Sequence, residues 1–432
     1  MTARKHLSIQ KVEKGHGPGL LKRSFAILGP GLITGAADDD PSGISTYSVA
    51  GAAYGYATLW IALLTFPLMV AIQLMCARLG MVTGRGLAAA VRIYYPRWVL
   101  WGACSILVVA NVINIGADLG GMAEATQLIT GVRALIWIPV YACFIIGLLI
   151  WISYKLMAQI FKWTTLVLFA YMFASFYAHV DWRHALAMTF VPHLEWSRGF
   201  LAVLVAILGT TISPYLFFWQ AAEEVEEGRI KGRGLADRKS ATGADLRSTR
   251  ADTMVGMFFS NLIMYFIILT TSATLHAHGQ TNIATARQAA EALRPLAGNG
   301  AYLLFTLGLV GTGMLGVPVL VGSCAYAVAE GAAWRGSMAD KPGSARKFYA
   351  VMAVAMALGL VLNYLGLNAV KMLFWSAVIN GLLAPPLILL VVLLTSSQKV
   401  MGNRVNPPLL RYLGWATFGV MTAAAVGMIV TS

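Results

Sequence analysis

Apolar residues along this chain arrive in blocks of roughly 20, the length at which a helix crosses about 30 Å of hydrocarbon. Short polar connections separate the blocks. Eleven are expected as membrane spans, at about 25–55, 57–79, 98–128, 134–152, 155–178, 199–227, 253–275, 301–329, 348–364, 369–396 and 410–430. Two differ from the rest. The first is cut by "DDDPSG" (38–43), and the sixth, "FLAVLVAILGTTISPYLFFWQAAEEVEEG" (200–228), is cut by "GTTISPY" (209–215). Pro41 and Pro214 each remove a backbone donor and clash with the preceding turn, so neither helix is expected to run straight through. Backbone groups freed at that depth are tolerated only where protein buries them or where they line a wet cavity. Breaks five spans apart predict an all-α polytopic membrane protein built as a 5+5 inverted repeat, with a binding site where the breaks meet. The eleventh span is then an appendage.

Composition supports this and adds direction. The chain of 432 residues is 58% hydrophobic and 12% charged, against about 25% charged in a soluble domain. The net charge of +14 does not read as nucleic-acid binding, because Lys and Arg collect in alternate connections: the N-terminus, Arg78–Arg97, Arg229–Arg250, Arg335–Lys347 and Lys399–Arg411. That alternation is the positive-inside pattern and puts the N-terminus in the cytoplasm. Residues 1–24 are basic without an apolar core, so a cytoplasmic segment is expected there rather than a signal peptide. A single transmembrane domain, 25–432, follows, with a cytoplasmic loop at 228–252, and the expected location is a bacterial inner membrane. Trp98, Trp101, Trp137, Trp151, Trp196 and Trp375 lie near span ends, as an aromatic belt requires. Cys76, Cys104, Cys143 and Cys324 have no CxxC spacing and are expected to be buried thiols. The seven histidines sit outside the cores of the spans, which gives no imidazole metal site or His-based proton relay.

The chemistry concentrates at the breaks. With the first span running inside to outside and the sixth outside to inside, both first halves bring C-terminal ends, with orphan carbonyls and partial negative charge, to one midplane point. Asp40 adds a full charge. Those carbonyls, the Asp40 carboxylate and the hydroxyls of Ser42, Ser213 and Thr46 would make a site for a hard cation. The other reading of "DDDP" is a helix N-cap at a membrane surface, with Asp followed by Pro at the first helical position; it applies more readily to Asp38 and Asp39 than to Asp40. Consecutive acids with no Glu at the twelfth position exclude an EF-hand. Asp118, in "NVINIGADLGGMAEATQ" (111–127), either relays protons and eases cation passage or sits in water near the outer end of a long helix. Asn380 either lines the route or makes an interhelical hydrogen bond. The acidic run "EEVEEG" (223–228) is expected to pair with the basic loop that follows it.

The run "GPGLITGAADDDPSG" (29–43), followed by a broken sixth span with a proline, resembles the Nramp divalent-metal transporters. The resemblance covers nearly the whole chain and implies a LeuT-type fold. It places the family's first-span motif aspartate on Asp40 and its proline on Pro41, with Ser42 for the motif glycine and Gly43 for the asparagine ligand. In the sixth span Ser213 stands for the methionine ligand, beside Pro214. Tyr215 and Gln220 stand for two histidines, and the carbonyl ligand falls on Thr210. In the third span Asp118 is kept, while Gly121 replaces the glutamate of the proton route. A thioether selects transition metals over calcium and magnesium, so Ser213 hardens the site. Losing the asparagine leaves room for an ion that keeps several waters, as magnesium does. The resemblance therefore implies a transporter or uniporter of magnesium or manganese, working by alternating access. The divalent ion would be the substrate, the lipid bilayer the surroundings, and no cofactor is expected. Within the fold the alternative is a sodium-coupled carrier for a small organic solute. An enzyme is not expected, because no catalytic dyad, nucleophile motif or His cluster lies in the spans.

Overall fold

The two breaks divide the first and sixth spans into separate helices. The computed structural model describes residues 30–152, 156, 166–230 and 242–431. Helix α1 (Pro30–Asp38) stops at the acids and α2 (Pro41–Tyr54) starts directly after them. Then follow α3 (Trp60–Thr83), a short connecting helix α4 (Leu87–Tyr94), α5 (Arg97–Thr130) and α6 (Ala134–Trp151). Beyond them come α7 (Phe169–Tyr177) and the short α8 (Trp182–Phe190). The sixth span is α9 (Arg198–Thr211) plus α10 (Pro214–Ile230). The remaining long helices are α11 (Gly243–Thr274), α12 (Ala301–Gly331), α13 (Arg346–Leu362), α14 (Ala369–Ser396) and α15 (Pro408–Val430). Among the described residues there is no strand, and nine helical stretches are long and apolar enough to cross a membrane. The two expected spans outside that count are the divided first one and the fifth. Residues 153–155 and 157–165 of the fifth lie outside the described residues, as do the N-terminal segment and 231–241 of the expected loop.

Local chemistry sets the ends. Asp40 is the N-cap of α2, accepting from the Gly43 N–H with Pro41 at the first helical position, the arrangement that satisfies an orphan donor where Pro needs none. Helix α3 closes on Gly84 and α5 on Gly131, both left-handed, a conformation that glycine adopts without Cβ strain. Helix α11 starts about three turns before the span expected at 253. Thr242 and Asp245 form a reciprocal capping box there, which begins the helix in a polar extension beyond the apolar span. The loop expected over 228–252 is shorter for the same reason, since α10 also runs on to Ile230.

Layering follows apolarity. Every residue of α9 from Phe200 to Thr211 is buried, so the sixth span is the axis of the bundle. Helix α14 packs along α9, α12 along α5, and α1 along α11. The α1–α11 seam depends on small residues: a β-carbon on Gly35 would stand 2.4 Å from the Gly256 carbonyl. The same seam is pinned at its end by the Gly31 N–H, which donates to Asp252 Oδ2 at 2.7 Å. Helices α6, α13 and α15 bury one face only and turn apolar side chains outward, as lipid contact permits. Trp98, Trp151 and Trp196 are strongly exposed at helix ends. Cys143 departs from expectation: it sits on the outer face of α6 and is exposed, while Cys76, Cys104 and Cys324 are buried.

Candidate functional site

Asp40 stands at the gap between α1 and α2, 1% exposed, and its carboxylate is held by four donors. Oδ1 accepts from Ser42 Oγ at 2.7 Å and the Gly43 N–H at 2.8 Å. Oδ2 accepts from Asn114 Nδ2 of α5 at 3.0 Å and from the Tyr215 hydroxyl of α10 at 3.3 Å. The two readings of "DDDP" thus meet in one residue. Asp40 caps a helix, but it does so in the middle of the bundle rather than at a surface. The positive N-terminal end of α2 is occupied by the chain's own carboxylate, so it is not left open for an anionic ligand.

The sixth span closes on the same point. Tyr215 ties the two breaks together, since its hydroxyl also donates to the Ala37 carbonyl at 3.1 Å, at the end of α1. A β-carbon on Gly43 would lie 3.1 Å from Thr210 Oγ1 and 3.5 Å from the Asp38 carbonyl. The last turn of α9 therefore faces the first turn of α2 with only a glycine between them. Thr210 Oγ1 and Thr46 Oγ1 are buried without a hydrogen-bond partner. Ser213 turns back on its own helix, donating to the Thr210 carbonyl at 2.6 Å and the Gly209 carbonyl at 3.0 Å; its oxygen keeps its acceptor lone pairs. On the far side a β-carbon at Gly316 of α12 would come within 3.0 Å of Asp40 Cβ. Any larger residue at 316 would push on the carboxylate.

Asp118 is not in water. It is fully buried on α5 one turn beyond Asn114, and its carboxylate faces the Ser42 backbone without closing a hydrogen bond of ordinary geometry. Asp38 and Asp39 are buried too, and both turn to Ser260 of α11, whose Oγ lies 2.6 Å from Asp38 Oδ2 and 3.2 Å from Asp39 Oδ1. Asn380 is buried beside Gly381, whose backbone nitrogen abuts Gly209 of α9; its Nδ2 has no partner, so no interhelical hydrogen bond forms from that group. Gln220 does not join the group at the breaks. It accepts from Thr34 Oγ1 at 2.6 Å and donates to Glu224 Oε1 at 3.2 Å, linking α10 to α1 about one turn before the break. Of the acidic run, Glu226 is the member placed most clearly, while residues 231–241 of the basic loop lie outside the described residues. Glu226 is buried and accepts from the Tyr326 hydroxyl and from the Met338 N–H.

Asn114, Ser260 and Gly316 escaped the sequence reading. One signal was available for the first: Asn111, Asn114 and Asp118 recur at helical spacing in an apolar span, a polar stripe on one face. For Ser260 and Gly316 no local signal exists, because helix packing alone brings them to the acids.

The geometry has known counterparts. A family model described as natural resistance-associated macrophage protein-like, Nramp, matches residues 31–431. The divalent metal cation transporter MntH of Klebsiella pneumoniae is 26% identical over 435 residues, covering 99% of each chain. In fold, the chain resembles a crystal structure of the Eremococcus coleocola manganese transporter, with a TM-score of 0.76 at 18% identity over 98% of this chain and 88% of that one. It also resembles Mhp1, a nucleobase-cation-symport-1 family transporter in a closed conformation, with a TM-score of 0.61 at 14% identity over 94% and 90%. A match spanning all but the ends of the chain, with both broken helices in place, settles the kinship: this integral membrane protein belongs to the Nramp family.

Proposed function

We propose that this chain moves divalent metal cations across the membrane, with the cation held between the two breaks. The observation that carries the reading is Asp40, a buried carboxylate at the meeting of α1, α2, α9 and α10. Among the described residues no Lys, Arg or His is buried to offset it. Besides the Gly43 N–H and Asn114 Nδ2, which donate to it, the groups proposed to hold the ion are oxygens: the Ser42, Thr210, Ser213 and Thr46 hydroxyls and the carbonyls at the ends of α1 and α9. Such a set suits a hard ion. Gly43 supplies clearance rather than a ligand atom, Asp118 and Asn380 lie beside the route, and Asp38 and Asp39 are the next carboxylates along the break. Magnesium or manganese is the substrate this donor set favours, and no resident cofactor is needed. Alternating access would turn on the discontinuities at Pro41 and Pro214. The membrane is taken to be a bacterial inner membrane with the N-terminus on the cytoplasmic side.

Uptake of manganese and magnesium into proteoliposomes, run beside a panel of amino acids with sodium, tests this. Metal flux is expected in the wild type and a loss of at least about a hundredfold in Asp40→Ala. Wild-type rates in Asp40→Ala would sink the site assignment, and sodium-driven amino-acid flux would replace the metal reading with that of an organic-solute carrier.

A further inference from the structure

Away from the breaks, a cleft of about 390 Å³ lies between α3, α11 and the start of α15. Arg247, Arg250 and Leu409 on its walls are exposed, so it is reached from outside the bundle. Arg78, Arg247 and Arg250 line it, and among the described residues no carboxylate does. The rest of its lining is mainly apolar, from Leu74, Val70 and Pro67 on α3 to Leu410 and Leu413 on α15. Phe66 lines the far end and meets Phe258 of α11 edge-on, 6.0 Å between centroids. From Arg78 to Phe66 the cleft follows α3 for about 18 Å at the rise of a helix, close to one leaflet of a hydrocarbon core about 30 Å thick. Its basic end falls where the apolar stretches stop, near the close of α3 and in the first turns of α11. The charge there is unanswered. Arg78 Nη2 donates to the Arg404 carbonyl at 2.9 Å and the Val405 carbonyl at 3.1 Å, which positions the guanidinium without neutralising it. Its Nε is buried with no partner, and so is Nη1 of Arg404, whose like charge acts on Arg78. Among the described residues no ion pair joins any of these four arginines to a carboxylate. Cationic groups with idle buried donors, at the mouth of an apolar groove, call for an anion that carries an apolar tail.

We propose that this cleft holds one anionic phospholipid, its phosphate among Arg78, Arg247 and Arg250 and an acyl chain laid along α3 toward Phe66. The planar fork of a guanidinium matches phosphate oxygens, and basic pockets between transmembrane helices bind anionic headgroups on the same grounds. The charge selects a lipid over the chain's own segments. Residues 1–29 and 231–241, which lie outside the described residues, are both basic in sequence and so do not complement three arginines. The lipid would tie α3, α11 and α15 together on a face of the bundle separate from Asp40, and the site stands whichever solute the breaks hold.

Native mass spectrometry of the full-length chain, stripped of lipid in detergent and titrated with phospholipids of matched acyl chains, tests this. Phosphatidylglycerol should bind at least about tenfold more tightly than phosphatidylcholine. Arg247→Gln/Arg250→Gln, which changes two exposed side chains, should weaken phosphatidylglycerol by about tenfold. Arg346→Gln/Lys347→Gln removes the same charge at the start of α13 and should leave the affinity unchanged. Equal binding of the two lipids, wild-type affinity in Arg247→Gln/Arg250→Gln, or an equal loss in the α13 variant would overturn the site. Displacement of phosphatidylglycerol by an equal concentration of inorganic phosphate would overturn it too, since the acyl chain would then contribute nothing. A lipid-free dimer that Arg247→Gln/Arg250→Gln dissociates and phosphatidylglycerol does not would give the cleft to a second copy of the chain instead.

Discussion

Tyr215 shows how much one side chain can be asked to do. Its hydroxyl spans from the Ala37 carbonyl to the Asp40 carboxylate, and so joins the end of one half-helix to the cap of the next. Tyr215→Phe keeps the ring and removes both bonds, which should lower stability by about 1–3 kcal/mol, the range for hydrogen bonds to buried or charged groups. Thermal unfolding in detergent would register it, and metal uptake should fall severalfold as Asp40 loses one of its four donors. Ser213 offers the complementary test. Placing a thioether there by Ser213→Met softens the donor set, and the preference for manganese or cadmium over magnesium should rise by about tenfold in competition uptake; an unchanged preference would remove Ser213 from the selectivity argument. Asp40 itself was legible in the sequence because a charge followed by proline inside an apolar block is a local anomaly. Asn114, Ser260 and Gly316 were not, because their meaning lies in which helix faces which.

At the scale of the element, the fragment to watch is α1. It is nine residues long, detached from α2 by the break, and seated on α11 by glycine contacts and by the Gly31–Asp252 hydrogen bond. Gly35→Val would place a side chain where the Gly256 backbone already stands. Overpacking of this kind costs about 1–3 kcal/mol. The expected result is a lowered unfolding temperature and a displaced α1, detectable as increased proteolysis or solvent labelling near residue 35. Retention of wild-type stability would mean the seam is looser than its distances indicate. Element positions were well legible from the hydrophobic blocks, with span ends within a few residues of the expected ones for most helices. The exception, α11, starts early because Thr242 and Asp245 nucleate a polar turn that hydrophobicity does not report.

For the whole molecule, the arrangement links stability to occupancy. A cation that binds only the folded bundle stabilises it by about 2.7 kcal/mol at a concentration one hundred times its dissociation constant. Magnesium or manganese should therefore raise the unfolding temperature of the wild type in detergent by more than that of Asp40→Ala. An equal rise in both would locate the bound metal elsewhere on the protein. Fold class was readable from two prolines five spans apart, since only an inverted repeat makes such a pairing useful. The partnership of Asp38 and Asp39 with α11 was not, as nothing in residues 38–40 states which neighbour lies across from them.

The cap on α2 carries one further meaning. Asp40 secures the first turn of that helix through Oδ1, part of the same carboxylate that a cation would claim in the reading proposed above. Ion and helix thus compete for a single carboxylate, and losing an N-cap costs about 1 kcal/mol. On that reading, whatever the ion gained from Asp40 would be reduced by the order it withdrew from α2, so affinity would be set partly by how firmly a helix can begin. Such a site would grip moderately and let go readily, which is the property a carrier requires and a storage protein does not.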